Sequence, residues 1–169
     1  YIGGSAGTAI THTGHVIPSA NVTYNLGSTT AWYNIFYGKA TQAQYADLAE
    51  NYQADKPYAP GTVVMFGGDQ EVTVADADTS AVAGVVSTNP AHLMNGGLTG
   101  PNVVPLALQG RVPCRVVGTV RRGDLMVTSM IPGVAMASEN PKAGSIIGKA
   151  LGDYDSSRVG LIEVLVGKH

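Results

Sequence analysis

From residue 62 onward the sequence is a succession of short apolar runs, each ended by glycine, proline, asparagine or aspartate. Thr62-Val63-Val64-Met65-Phe66 stops at Gly67-Gly68-Asp69, Glu71-Val72-Thr73-Val74 alternates, and Ala81 to Ser87 stops at Asn89-Pro90. Val103 to Leu108, Val112 to Val117, Leu125 to Thr128, Pro132 to Met136, Gly144 to Gly148 and Val159 to Val166 follow. Gly110, Gly118 and Gly123-Asp124 separate the earlier ones. Runs of this length between turn residues specify short strands joined by hairpins and loops. No segment here reads as the helix of a parallel crossover, which argues against a doubly wound sheet. The expectation is a mainly β chain whose residues 53–169 form a compact all-β head, barrel or sandwich.

Composition narrows the function classes. Charged residues are 13% of the chain, against roughly 25% in average globular proteins. With a formal net charge of -2, there is no basic stripe to displace counterions, so nucleic acid is not an expected partner. No apolar run reaches the length of a membrane-spanning helix, and membrane insertion is not expected. A single cysteine, Cys114, excludes a disulfide within the chain. The chain opens on Tyr1 without a signal-peptide pattern, which reads as a processed product or a fragment.

The N-terminal third is written differently. Residues 1 to about 24 are rich in Gly, Ser and Thr, with Ile2, Ile10, Val16 and Ile17 scattered and without alternation. Such a segment buries too little apolar area to offset its ordering entropy alone. Next come the turn Asn25-Leu26-Gly27-Ser28 and the run Trp32-Tyr33-Asn34-Ile35-Phe36-Tyr37, which carries large side chains at both parities. Neither face of a strand here suits water, so burial between copies of the chain is expected. Residues 40–52 read as a short amphipathic helix starting near Thr41, with Tyr45, Leu48, Ala49 and Tyr52 on one side. Thr41, Tyr45, Leu48 and Tyr52 also fit a coiled-coil seam of one and a half heptads. The expected organisation is a stem with aromatic strand and helical collar over residues 1–52, then the head. Trp32, Ile35, Tyr45, Leu48 and Tyr52 are the candidate interface of a homotrimer.

Two blocks carry a resemblance to a known family. The first runs from Asn25-Leu26-Gly27-Ser28 through Trp32-Tyr33-Asn34-Ile35 to Gly38-Lys39-Ala40-Thr41 and Gln44-Tyr45-Ala46-Asp47-Leu48-Ala49-Glu50. It resembles the joint before the distal domain of bacteriophage tail fibres, although Ala31 stands where the family often has Arg or Lys. The second comprises Val82 to Pro90, Val104 to Val116, Gly123 to Ser129, Pro132 to Met136 and Ile147 to Leu151. It is similar to a β-rich C-terminal module of phage fibre and neck-appendage proteins, related to an intramolecular chaperone that cleaves itself off. The resemblance implies a structural and adhesive protein of the virion tail. Its implied partners are two further copies, other tail or fibre proteins and a host surface receptor, glycan or protein. An autoproteolytic chaperone assisting fibre trimerisation is the alternative it implies.

Chemistry-bearing residues are sparse. Cys114, between Val112 and Val116, reads as a small buried hydrophobe rather than a nucleophile. His12 and His15 read as solvated leader residues, with a metal on a trimer axis as the sharper possibility. Ser80, Ser87, Ser129 and Ser138 are available for self-cleavage, but no Gly-x-Ser-x-Gly elbow accompanies them. Asp76, Asp78, Asp124, Asp153 and Asp155 read as turn residues. No catalytic activity, cofactor or metal is expected. The recognition candidate is the long Gly/Asn-rich loop Ala91–Asn102, with His92, Leu93, Met94, Asn95 and Asn102 as contact residues.

Overall fold

A computed structural model describes residues 12–21, 23–28, 30–38 and 46–167. The chain divides into two units, residues 1–40 and 41–169. In the first, the turn after Leu26 forms as its residues require. Gly27 takes φ +89°, the Ser28 N–H donates to the Ala31 carbonyl at 2.9 Å, and the Ser28 hydroxyl accepts the Ala31 N–H at 3.0 Å. The aromatic strand expected beyond it does not form: residues 30–38 carry neither strand nor helix. A single extended segment has no ladder to satisfy its backbone groups, so large side chains alone do not make it a strand.

The second unit is all β. Its strands are β1 (Asp47–Gln53), β2 (Val63–Phe66), β3 (Val72–Val74), β4 (Val82–Val86), β5 (His92–Met94), β6 (Val103–Val120), β7 (Leu125–Thr128), β8 (Ala135–Ala137), β9 (Gly148–Ala150) and β10 (Tyr154–Val166). Five of them close a barrel in the order β6–β10–β9–β7–β8 and back to β6. From β6 the sheet continues outward through β4, β2 and β3, while β1 pairs with both β6 and β5. The expected all-β head is thus a barrel with a sheet extension.

Among the described residues the helical collar is replaced by sheet. Residues 47–52, read as the end of the helix over 40–52, lie in β1, antiparallel to β6 and parallel to β5. A helix of so few residues is marginal without packing, whereas a position between two ladders satisfies the backbone on both sides. Leu48 and Tyr52 still share a face, because even spacing does in a strand what i, i+4 does in a helix. Tyr45 lies outside the described residues.

Two cores explain the composition of the inner strands. Val63 and Val85 face the barrel core, whereas their neighbours Val64 and Val86 face a second core with Ala54, Val72, Val104 and Leu106. β2 and β4 therefore bury both faces and read as unbroken apolar runs.

β6 joins the two cores. The two runs expected to be separate strands, residues 103–108 and 112–117, are one strand of 18 residues. Val104 and Leu106 face the second core. Ala107 faces the barrel core together with Val112, Cys114 and Val116, which have the opposite parity. A regular strand cannot do this, since its side chains alternate strictly. The register against β1 shows how parity changes. Ala49 pairs with Ala107 and Leu48 with Gln109, so Leu108 is bypassed as a β-bulge. Gly110 follows at φ +110°, where a Cβ would collide with the Ala46 carbonyl and lie 2.8 Å from the Asp47 Cα. Gly118, at φ +84°, has open space around it.

Gly110→Ala is expected to cost at least about 2 kcal/mol, combining backbone strain with a collision against a neighbouring strand. Gly118→Ala, which meets strain alone, should cost about 1–2 kcal/mol. Urea denaturation of both variants checks the order, and equal losses would mean that close approach of β1 is not what requires glycine at 110.

Candidate functional site

The loop Ala91–Asn102 is more ordered than its composition suggested. Its first part is β5, in which His92, Leu93 and Met94 register with Leu48, Ala49 and Glu50 of β1. The Ala91 N–H donates to the Asp47 carbonyl at 2.8 Å, locking the entry to this edge strand. Asn95 ends it at φ +52°, in a region that asparagine tolerates better than most residues. Its side-chain amide donates to the Asn51 carbonyl at 3.1 Å, and the Asn51 amide donates to the Asn95 carbonyl at 3.3 Å. The Leu98 N–H closes the turn onto the same Asn95 carbonyl at 3.1 Å.

The far end is tied as well. The Asn102 amide donates to the Asp55 carbonyl at 3.2 Å, and the Asn102 carbonyl accepts the Ala54 N–H at 3.1 Å. Of the five candidate contact residues, Asn95 and Asn102 thus spend their amides on the fold. Met94 is half-buried, while His92 and Leu93 project to solvent, Leu93 with 41% exposure. Ala91, Asn95, Gly96, Gly97, Thr99, Gly100 and Pro101 are exposed as well, and His92 and Leu93, neighbours in one strand, point to its two opposite faces.

A carboxylate-centred bracket supports the base of this region. Asp55 accepts the Tyr58 hydroxyl on Oδ1 at 2.6 Å and the Thr73 hydroxyl on Oδ2 at 3.0 Å. The Val74 N–H donates to the Tyr58 oxygen at 2.9 Å, so β3 is fastened to the segment after β1. The Tyr58 hydroxyl bond chiefly holds the Asp55 carboxyl below its ordinary range, against a smaller opposing effect of burial.

The interface candidates are dispersed among different local structures. Trp32 and Ile35 belong to the first unit and are 70% and 57% exposed, in company with Tyr33, Phe36 and Tyr37. Leu48 is half-buried in β1. Tyr52 packs edge-on to Phe66, with ring centroids 6.0 Å apart, and its hydroxyl donates to Glu50 at 3.1 Å. Tyr52 therefore has a role within the chain that its heptad spacing did not reveal.

Cys114 is fully buried in the barrel core, and burial pushes its thiol up to about 12. At that value the thiolate is scarcely populated near neutral pH. His12 and His15 are exposed, and among the described residues no three His, Cys, Asp or Glu side chains converge. Ser129 is buried with its hydroxyl donating to the Ile131 carbonyl, and Ser80 is exposed. Asp124 caps the Arg121 N–H at 2.7 Å and Asp153 accepts the Arg122 N–H at 2.8 Å.

One surface escaped the sequence reading. Val159 and Leu161 on β10 lie beside Ala59, Pro60 and Arg115, and Leu161 is 62% exposed. Further along the same strand Val164 and Val166 are buried in the barrel core, whereas the register against β6 breaks between Ser156 and Gly160. Gly160, an isolated glycine inside a strand pattern and packed against the Tyr154 ring, is the local signal that marks the break.

No protein-family model and no curated protein sequence matches the chain. Among solved structures, it is similar to one described as the crystal structure of the pre-mature bacteriophage phi29 gene product 12. The TM-score is 0.58 at 13% sequence identity, over 76% of this chain and 22% of that one. The chain thus spans about a fifth of the phage protein's length, and at this identity the likeness is one of fold.

Because the depressed Asp55 carboxyl stabilises the folded state only while ionised, that contribution is present above the ordinary Asp range, about pH 3.9. It is lost as pH falls through the lower folded value. Thermal melts between pH 2 and 7 are expected to show a shallower acid-limb slope for Asp55→Asn than for the parent chain. An unchanged slope would remove Asp55 from the acid response.

Proposed function

We propose that this chain is part of a bacteriophage tail fibre, a structural and adhesive piece that trimerises through its aromatic segment and contacts the host cell with its β unit. The observation that carries the reading is the fold likeness to a bacteriophage gene product. The exposed rings of the first unit support self-association. Trp32, Tyr33, Phe36 and Tyr37 are each 65–91% exposed in one copy, a density of apolar surface that a lone chain in water does not favour. Burying one such ring between copies contributes roughly 1.5–3 kcal/mol, so three subunits sharing several rings gain enough to order a stem. The outward His92 and Leu93 on a tied-down edge strand suit a contact surface, because rigid scaffolding lowers the ordering cost of binding.

The β unit carries its own two cores, which suits the role of a stable module. A second reading is an autoproteolytic chaperone. It is favoured by the description of the phage neighbour as a pre-mature form, which is said of that protein. Mass spectrometry of the expressed product separates the two. An internal break abolished by replacing one Ser or Asp supports the chaperone, and an intact chain supports the fibre.

Light scattering on the purified chain is expected to give the mass of three copies. Trp32→Ala combined with Phe36→Ala should lower that mass while leaving the β signal in circular dichroism intact, since both side chains are exposed in the single chain. A well-folded monomer for the parent chain at micromolar concentration would overturn the trimeric reading.

A further inference from the structure

β6 and β8 close the barrel through one registered pair, Val116 with Ala135. Past it the two parallel strands run on without pairing, β6 to Val120 and β8 to Ala137. The seam opens there into a crevice of about 690 Å3, between the end of β6, the turn into β7 and the end of β8. Sites for small molecules occupy about 300–1,000 Å3. Thr119, Arg121, Asp124, Ser138 and Glu139 line it with polar side chains, and Leu125 adds an apolar patch.

This lining is fastened from behind. Asp155 on β10 accepts the Thr119 hydroxyl at 2.9 Å and lies 3.6 Å from the Arg121 guanidinium. Asp124 Oδ2 accepts the Arg121 N–H at 2.7 Å, and the Asp124 carbonyl accepts the Ala150 N–H at 3.0 Å. The Ser138 N–H donates to the Leu125 carbonyl at 2.9 Å, joining the β8 wall to the turn. The Arg121 side chain is still 57% exposed, so most of its five N–H donors stay open to a ligand. Asp124 uses one carboxylate oxygen on the backbone and keeps the other.

We propose that this crevice binds a neutral sugar residue, the hydroxyl-rich group that a host-surface glycan presents, an inference that rests on the adhesive reading above. The balance of charge selects the ligand. One guanidinium stands against the carboxylates of Asp124 and Glu139, so a phosphate, a sulfate or an acidic sugar meets more repulsion than attraction. A sugar hydroxyl both donates and accepts, and neighbouring hydroxyls satisfy the guanidinium and the carboxylates together. Guanidinium and carboxylate are planar groups with paired donors or acceptors, a geometry that suits two adjacent oxygens. Leu125 offers an apolar surface to the C–H groups of the ring. Because the walls are already fastened, binding orders few side chains. A single sugar, which gives up its own hydration, is held in the millimolar range. Several copies on one fibre raise the effective affinity through simultaneous contacts.

The test follows backbone amide NMR shifts of the intact chain titrated with glucose, galactose and N-acetylglucosamine, each to about 50 mM, well above a millimolar dissociation constant. At least one of the three is expected to move the amides of residues 119–125 and 137–139, and N-acetylneuraminic acid to move them less. Arg121→Ala should weaken binding about tenfold through the loss of charge-assisted hydrogen bonds. Glu139→Ala, at an exposed position, gives a second loss should the Arg121 variant fold poorly. Arg122→Ala, outside the lining, should leave binding unchanged. The proposal is overturned by no shift from any of the three sugars, by shifts confined to other surfaces, or by tighter binding of the acidic sugar. Binding that persists unchanged in both folded variants, or a response only to a Ser- and Asn-rich peptide, overturns it equally. A trimer that binds none of these sugars removes this site alone, whereas a monomer that binds one removes the trimeric reading alone.

Discussion

Everything in the β unit depends on one strand changing the face it buries partway along its length. Before Leu108, β6 directs Val104 and Leu106 into one core. After the bulge at Leu108 and the turn of backbone at Gly110, it directs Val112, Cys114 and Val116 into the other. Without that one-residue offset, the barrel half of β6 would point its valines outward and leave Pro113 and Arg115 to face the core. The barrel and the outer sheet are therefore two consequences of one break in register.

Other interruptions of the ladder shape the surface. Past the pair Val116–Ala135, β6 and β8 run on unpaired, and a crevice lined by polar side chains is left. The irregularity near Gly160 similarly accompanies the exposed Val159 and Leu161. Features that could meet a ligand or partner thus sit at faults in the ladder, where close packing is interrupted. The β5 edge belongs to a different class. It is pinned by Asn51, Asn95 and Asn102, so that its two outward side chains rest on a fixed base.

The Ala91–Asn102 segment shows how much of the candidate surface was legible. Its length and its Gly and Asn content set it apart from its neighbours in the sequence. The pairing of His92–Met94 with β1 was not readable, because parallel edge pairing joins residues far apart and leaves no local pattern. Tyr52 was assigned by its spacing from Tyr45 and Leu48 to a helix seam. A 3–4 pattern over one and a half heptads is also what a half-buried strand can present, and the ladder partners of β1 decided between them.

What the chain determined by itself is the all-β character of residues 62–166, through apolar runs cut short by residues that cannot continue a strand, and the interior place of Cys114 among valines. Those are local properties of side-chain period and turn chemistry. What only the tertiary structure decided is the closure of five strands into a barrel, the fusion of two apolar runs into β6, and the conversion of residues 47–52 to sheet. Each depends on hydrogen bonds between distant segments, whose energy appears only once the partners have met. The exposed rings from Trp32 to Tyr37 stand between the two cases. Their apolar demand is written in the sequence, but a single folded chain leaves it unmet.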